Sequence, residues 1–222
     1  ISALLVLMMV LPSTVEASHN QNLYVSAENT RFNNYFAGSM VIQVVIVDPN
    51  ISSLDDAIGE PDVTLNGKKL RMVQASDGNW YAYFANNDKA QEADDIADGG
   101  EDGKGLDFGV FCGPNTDASV LGVSFSEAEG IAISTDNGIS GTTDGTSSFS
   151  TCTGTPASPT TTINNVVRNS PSLNQNSNVG VGQIGIDADI WPVVQLFSFS
   201  NDVTIMYNRA GGTQSVTLHY DD

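Results

Sequence analysis

An all-β protein, most simply a β-sandwich with long decorated loops, is predicted by three observations. Short β-branched runs recur along the 222 residues, and 21 glycines with many Ser, Thr and Asn residues punctuate them. Two pairs that favour tight turns, Asn66-Gly67 and Asp77-Gly78, also sit between alternating runs. A chain of this length can bury one large β domain or two small, closely packed ones.

Taken in order, Leu23-Tyr24-Val25 is a first short strand. The stretch Glu28 to Phe36 is a connection whose rings are expected to pack on a sheet edge. Met40 to Val47 follows as a strand, bounded by Gly38 and Pro49. Asp48 to Asp62 is a long acidic loop, with Ser53 placed to cap one helical turn carrying Asp55 and Asp56. The whole piece Ala37 to Ala85 reads as a near-continuous β-meander. After Asn66-Gly67, Leu70, Met72 and Gln74 fall on one face and Arg71, Val73 and Ala75 on the other, so neither face is cleanly polar. Trp80 to Phe84 returns as an aromatic strand, with Trp80 or Tyr81 expected to anchor the core.

Alanines at 90, 93 and 97 recur at helical spacing, so Asp88 to Ile96 is predicted as a short helix. Leu106 to Cys112, Val120 to Phe125, Gly130 to Ser134 and the Gly-alternating Val179 to Ile186 are further strands. Gly141 to Thr162 is too poor in apolar residues to organise itself and reads as a surface excursion. Ile190 to Phe199 forms a strand with Pro192 at its start or edge, and Val203 to Tyr207 pairs with Gln214 to Tyr220 through a Gly-Gly loop. The sequence stops at Asp221-Asp222, directly after that strand, so a longer parent protein is expected.

Ile1 to Leu11 is almost wholly apolar and leads to Val15-Glu16-Ala17, small residues spaced as a signal peptidase requires. Residues 1–17 are therefore expected to be a clipped signal peptide, the mature chain (18–222) starting near Ser18. The alternative keeps the apolar run as an assembly segment of a pilus-like filament. No later run approaches the length of a membrane span. Export matches the two cysteines, Cys112 and Cys152, as one disulfide closing a loop of roughly 40 residues, with a stabilisation of about 3–4 kcal/mol.

Twenty-six acids against eight bases leave a net charge of −18, spread along the chain. Such a polyanion repels nucleic acid and attracts monovalent and divalent cations. Two acid groups are candidates for Ca²⁺ or another divalent cation, which takes six to eight oxygens. The first comprises Asp94, Asp95, Asp98, Glu101, Asp102 and Asp107, beside Glu92. The second comprises Asp48, Asp55, Asp56, Glu60 and Asp62. Neither has EF-hand spacing, and a diffuse solvated acidic face accounts for both equally well. Asn50-Ile51-Ser52 is an N-glycosylation sequon in the predicted loop. No GxSxG, HExxH or P-loop signature occurs, and neither histidine is in a useful setting, His19 lying near the new N-terminus and His219 in a terminal strand; no reaction centre is expected.

The segments YFAGSMVIQVVIVDP (35–49), GEPDVTLNGKKLRMVQASDGNWYAYFA (59–85), GLDFGVFC (105–112) and WPVVQLFSFSNDVTIMYNRAGGTQSVTLHYD (191–221) resemble the N-terminal region of S-layer proteins from ammonia-oxidising archaea of the Nitrosopumilus type. The resemblance implies immunoglobulin-like β domains, secretion, glycosylation and dependence on divalent cations. It also implies assembly of like subunits into a two-dimensional lattice that draws ammonium toward the cell surface. Family members are much longer than this chain. The rival expectation is a secreted adhesin or carbohydrate-binding module, with Tyr35, Phe36 and Tyr83 lining a ligand groove.

Overall fold

The computed structural model describes residues 21–56, 58–75, 77–98, 105–106, 108, 110–112, 117–118, 123–124, 131–133, 146–150, 168–169 and 193–221. Their strands are β1 (Leu23–Val25), β2 (Tyr35–Ala37), β3 (Ile42–Ile46), β4 (Asp62–Leu65), β5 (Lys68–Lys69), β6 (Val73–Ala75) and β7 (Trp80–Asn86). The one α-helix among them, α1 (Asn87–Asp98), comes next. Then follow β8 (Val110–Cys112), β9 (Asp117–Ala118), β10 (Val123–Ser124), β11 (Ile131–Ile133), β12 (Thr146–Ser150) and β13 (Arg168–Asn169). The last are β14 (Val193–Phe197), β15 (Val203–Asn208) and β16 (Gln214–Asp221). The described residues are all-β in class, with two mixed sheets, a separate antiparallel pair β9–β10 and this single α-helix.

The larger sheet runs β1-β3-β7-β14-β11-β8-β12, with β6 on β7 and β13 on β6; the smaller runs β2-β16-β15-β4-β5. Alternation builds both. Ile42, Val44 and Ile46 of β3 and Trp80, Ala82 and Phe84 of β7 point inward from one sheet, while Val203, Ile205 and Tyr207 of β15 and Val216 and Leu218 of β16 do so from the other. All belong to one buried cluster. Of the two aromatic anchors expected at 80 and 81, Trp80 is the one: it is 1% exposed, and its Nε1–H donates to the Ile51 carbonyl at 2.9 Å. The opposite face of β7 and β14 carries Tyr83, Ala85, Val194 and Leu196, all buried, and α1 brings buried Ala90 and Ala93 to this side of the molecule.

Both tight turns form. Asn66 and Gly67 take φ of 49° and 82°, the left-handed pair that matches the twist of a two-residue hairpin, here β4 to β5. Gly78 takes φ 86° between β6 and β7. The stretch 37–85 is nevertheless not one meander. β3 and β7 are antiparallel neighbours in the larger sheet, whereas the β4–β5 hairpin between them pairs with β15 in the smaller one. The chain crosses from the smaller sheet to the larger through residues 70–72 and continues as β6; residues 70–75 are all buried, which is why neither of that segment's faces is polar.

Other expectations shift locally. Asp48 and Pro49 start a 3-10 turn at Pro49–Ile51 in place of a helical turn at Ser53, because Asp48 caps it and Pro49 is preset for a first helical position. Ser53 does make the expected capping bond, its Oγ accepting the Asp56 N–H at 3.3 Å and donating to Asp56 Oδ2 at 3.1 Å, but residues 54–56 are bends and not a helical turn. Of the three rings in 28–36, only Phe36 packs inward; Phe32 and Tyr35 are exposed. β14 starts at Val193 and is an interior strand between β7 and β11, not an edge strand; Pro192 itself lies outside the described residues. Within the tract 141–162, Thr146–Ser150 forms β12, parallel to β8 at the end of the sheet. A ladder needs only backbone groups, so low apolar content does not exclude an outermost strand. The expected leader at 1–17 and the strand at 179–186 lie outside the described residues.

Candidate functional site

The acidic stretch 48–62 is held by its own chain. Asp48, 4% exposed, accepts the Asn50 N–H at 3.0 Å and the Asn50 side-chain amide at 2.8 Å on Oδ1. Its Oδ2 accepts the Tyr207 hydroxyl at 2.9 Å, and the Arg209 Nη1 stands 3.7 Å away. Burial works against the Asp48 charge, but the Asn50 N–H, the Tyr207 hydroxyl, the Asn50 amide and Arg209 outweigh it and hold the carboxyl below its usual range. The same burial, with the hydrogen bond to Asp48, pushes the Tyr207 hydroxyl up to about 12. Arg209 also donates to the Asn22 amide oxygen, which accepts from Gln214 Nε2 at 2.9 Å as well. Gln214 Oε1 in turn accepts the N–H groups of Asn22 and Leu23. This network joins β1, the turn after β3, β15 and β16 at one end of the sheets.

Glu60 is held more tightly. Arg71 Nε lies 3.0 and 2.9 Å from its two oxygens, Arg71 Nη2 lies 2.8 Å from Oε2, and the Met72 N–H donates to Oε1 at 2.7 Å. Only 5% of the Arg71 side chain and 8% of that of Glu60 are exposed. Buried Gln195 completes the arrangement. Its Oε1 accepts the Arg71 N–H and its Nε2 donates to the Arg71 carbonyl, both at 2.8 Å, so one side chain stands in for a strand partner. Asp62 faces solvent with Lys69 at 3.5 Å and Asn208 Nδ2 at 3.0 Å. Asp55 and Asp56 are exposed.

In the first acid group, Asp94 is 1% exposed and accepts the Phe108 N–H at 2.8 Å, while the Leu106 N–H reaches the Ala93 carbonyl at 3.1 Å. These bonds fasten the returning chain to α1. Glu92 pairs with Lys89 at 3.0 Å, Asp95 is exposed, and Asp98 is the last residue of α1. Glu101, Asp102 and Asp107 lie outside the described residues. Among the described residues, no three His, Cys, Asp or Glu side chains gather as a metal site requires.

Asn50 of the sequon is exposed at the 3-10 turn. Cys112 ends β8, and Cys152 lies outside the described residues. Of the three aromatics expected to line a groove, Phe36 (2%) and Tyr83 (4%) are buried and cannot. Phe36 packs against Phe84 and Tyr220, and the Tyr83 hydroxyl accepts from Gln43 Nε2 at 2.7 Å. Tyr35 remains at the surface. Sequence reasoning missed Asn22, Gln195, Tyr207, Arg209 and Gln214; the available signals were Arg71 and Gln195 standing inside apolar runs. Among the described residues, no helix is long and apolar enough to cross a membrane. No protein-family model matches the chain, and no curated protein matches it either.

Proposed function

We propose that this chain is a secreted structural unit of an acidic surface layer of the S-layer type, its two sheets packed as an immunoglobulin-like sandwich. Copies associate in a two-dimensional lattice, calcium or another divalent cation bridges their acidic faces, and the layer enriches monovalent cations, ammonium among them. The observation that carries this reading is the uncompensated charge. Lys69, Arg71, Lys89 and Arg209 are each paired within the chain, to Asp62, Glu60, Glu92 and Asp48, so at least half of the eight bases are occupied internally. The excess of eighteen negative charges is left for solvent, cations and neighbours.

The remaining features of the proposal belong to export. Residues 1–17 are removed as a leader, Asn50 carries a glycan, and Cys112 is joined to Cys152. The register of β12 sets Ser150 opposite Cys112, two positions before Cys152 in sequence. Weak cation-bridged contacts become strong when each subunit makes several of them.

The test uses the purified mature chain at low ionic strength, titrated with CaCl₂ and followed by electron microscopy and thermal melting. Ordered sheets and a raised melting temperature, both reversed by EDTA and weakened by added NaCl, are expected. Unchanged melting and no assembly would sink the cation-bridged lattice.

A further inference from the structure

A second, separate feature stands on the smaller sheet. Thr30, Asn33, Asn34, Tyr35 and His219 line a shallow surface depression of about 400 Å³. Its floor is built rigidly. Asn33 and Asn34 are consecutive non-glycine residues with φ of 50° and 56°, a left-handed pair that side chains rarely adopt and that the surroundings must enforce. Asn34 does the enforcing: its N–H donates to the Asn29 carbonyl at 3.0 Å, its Oδ1 accepts the Asn29 N–H at 2.7 Å, its Nδ2 donates to the Thr217 carbonyl at 3.3 Å, and its carbonyl accepts the His219 N–H at 2.9 Å.

The groups this loop presents outward have no structural employment. The Thr30 hydroxyl, the Asn33 amide and the Tyr35 hydroxyl make no hydrogen bond among the described residues, although all three residues are exposed. His219 is oriented from behind, its Nδ1 2.9 Å from Asp202 Oδ2, which leaves Nε2 for a ligand. Its ring lies 5.1 Å from that of Tyr35, tilted by 37°, and holds the Tyr35 ring in place at 55% exposure.

We propose that this depression binds a neutral pyranose, the C–H face of one sugar ring lying on Tyr35 and its hydroxyls bonding to the Asn33 amide, the Thr30 hydroxyl and the His219 imidazole. The chemistry selects that class. An exposed aromatic ring offers apolar contact, an amide and a hydroxyl offer both donors and acceptors, and neither Lys nor Arg lines the depression to receive an anion, while Asp202 stands behind its one imidazole. The overall charge of −18 further repels acidic ligands. Preorganised side chains on a strained, rigid loop lose little freedom on binding.

The experiment is ligand-observed NMR on the intact protein with the methyl glycosides of glucose, galactose and mannose and with N-acetylglucosamine, and with glucuronate as the acidic counterpart. At least one neutral sugar is expected to bind with a Kd of about 1 mM, the range for one ring on an open site. Tyr35→Ala weakens that binding about tenfold or more, whereas Tyr35→Phe retains most of it. Asn33→Gly is the backbone-neutral control: glycine accepts the left-handed conformation, so this variant removes the amide alone and weakens binding about threefold to tenfold. Melting temperature monitors folding of each variant. Failure of every neutral sugar to bind, equal binding of glucuronate, or affinity unmoved by both Tyr35→Ala and Asn33→Gly overturns the proposal.

Discussion

Glu60 and Asp48 come from the same acidic stretch and are both buried, yet they are held in different ways. Glu60 meets a guanidinium head-on, a charge neutralised by a charge beside the passage of the chain from one sheet to the other. Asp48 sits near an edge, satisfied mainly by neutral donors, with the partly exposed Arg209 at 3.7 Å as a weaker contributor. A buried charge matched by one charged partner is a brittle arrangement, because removal of that partner strands it. A buried charge shared among four donors loses only a fraction of its support when one is removed.

The largest effect should therefore come from Arg71→Met. It leaves Glu60 buried without a counter-charge and is expected to destabilise the fold by about 3–5 kcal/mol in denaturant titration. Adding Glu60→Leu should restore most of the loss, since an apolar pair of similar volume needs no compensation. A double variant no more stable than the single one would break the comparison.

Next comes Gly78→Ala, which probes whether the loop joining the two acids is itself packed. A Cβ there would stand 2.7 Å from the Ser52 carbonyl oxygen, at φ 86°. A loss of about 2 kcal/mol is expected from the contact and the backbone strain together, measured the same way.

Asp48→Asn should cost less, about 1–2 kcal/mol at neutral pH. Because the folded carboxyl is held below its ordinary 3.8, its ionisation contributes stability that is present above that value and lost as pH falls through the lower folded one. Asp48→Asn should flatten this acid limb. Tyr207 gives the mirror case: raised from 10.0 to about 12, its neutral form contributes stability that is complete below pH 10 and lost as pH rises toward 12. Tyr207→Phe should remove that alkaline limb in melts recorded across pH. The smallest effect belongs to the exposed pair Lys89–Glu92, where Lys89→Ala should change stability by no more than about 0.5 kcal/mol, and less in high salt.

Much of the fold is legible residue by residue. The alternation in 42–46, 203–207 and 214–220, the left-handed pair at 66–67 and the alanine spacing of α1 each lead to the element the structure contains. The acid groups are less legible. A count of carboxylates between 48 and 62 treats five of them alike, but Glu60 is consumed by Arg71, Asp48 by Tyr207 and Asn50, and Asp62 by Lys69 and Asn208. The aromatics at 35, 36 and 83 divide in the same way: Phe36 faces the core because it sits one position along from Tyr35 in the same strand, and strand neighbours point to opposite faces.

Local chemistry written into the chain thus determined where strands, turns and the helix form and how negative the molecule is, because those properties depend on a residue and its near neighbours. Only the tertiary structure decided which sheet each strand entered and which acids left the solvent. The partners that make those choices are remote: the Gln195 clamp on Arg71 spans 124 positions and the Tyr207 bond to Asp48 spans 159. The stability of a buried polar group depends on who meets it in space, and no local pattern carries that information.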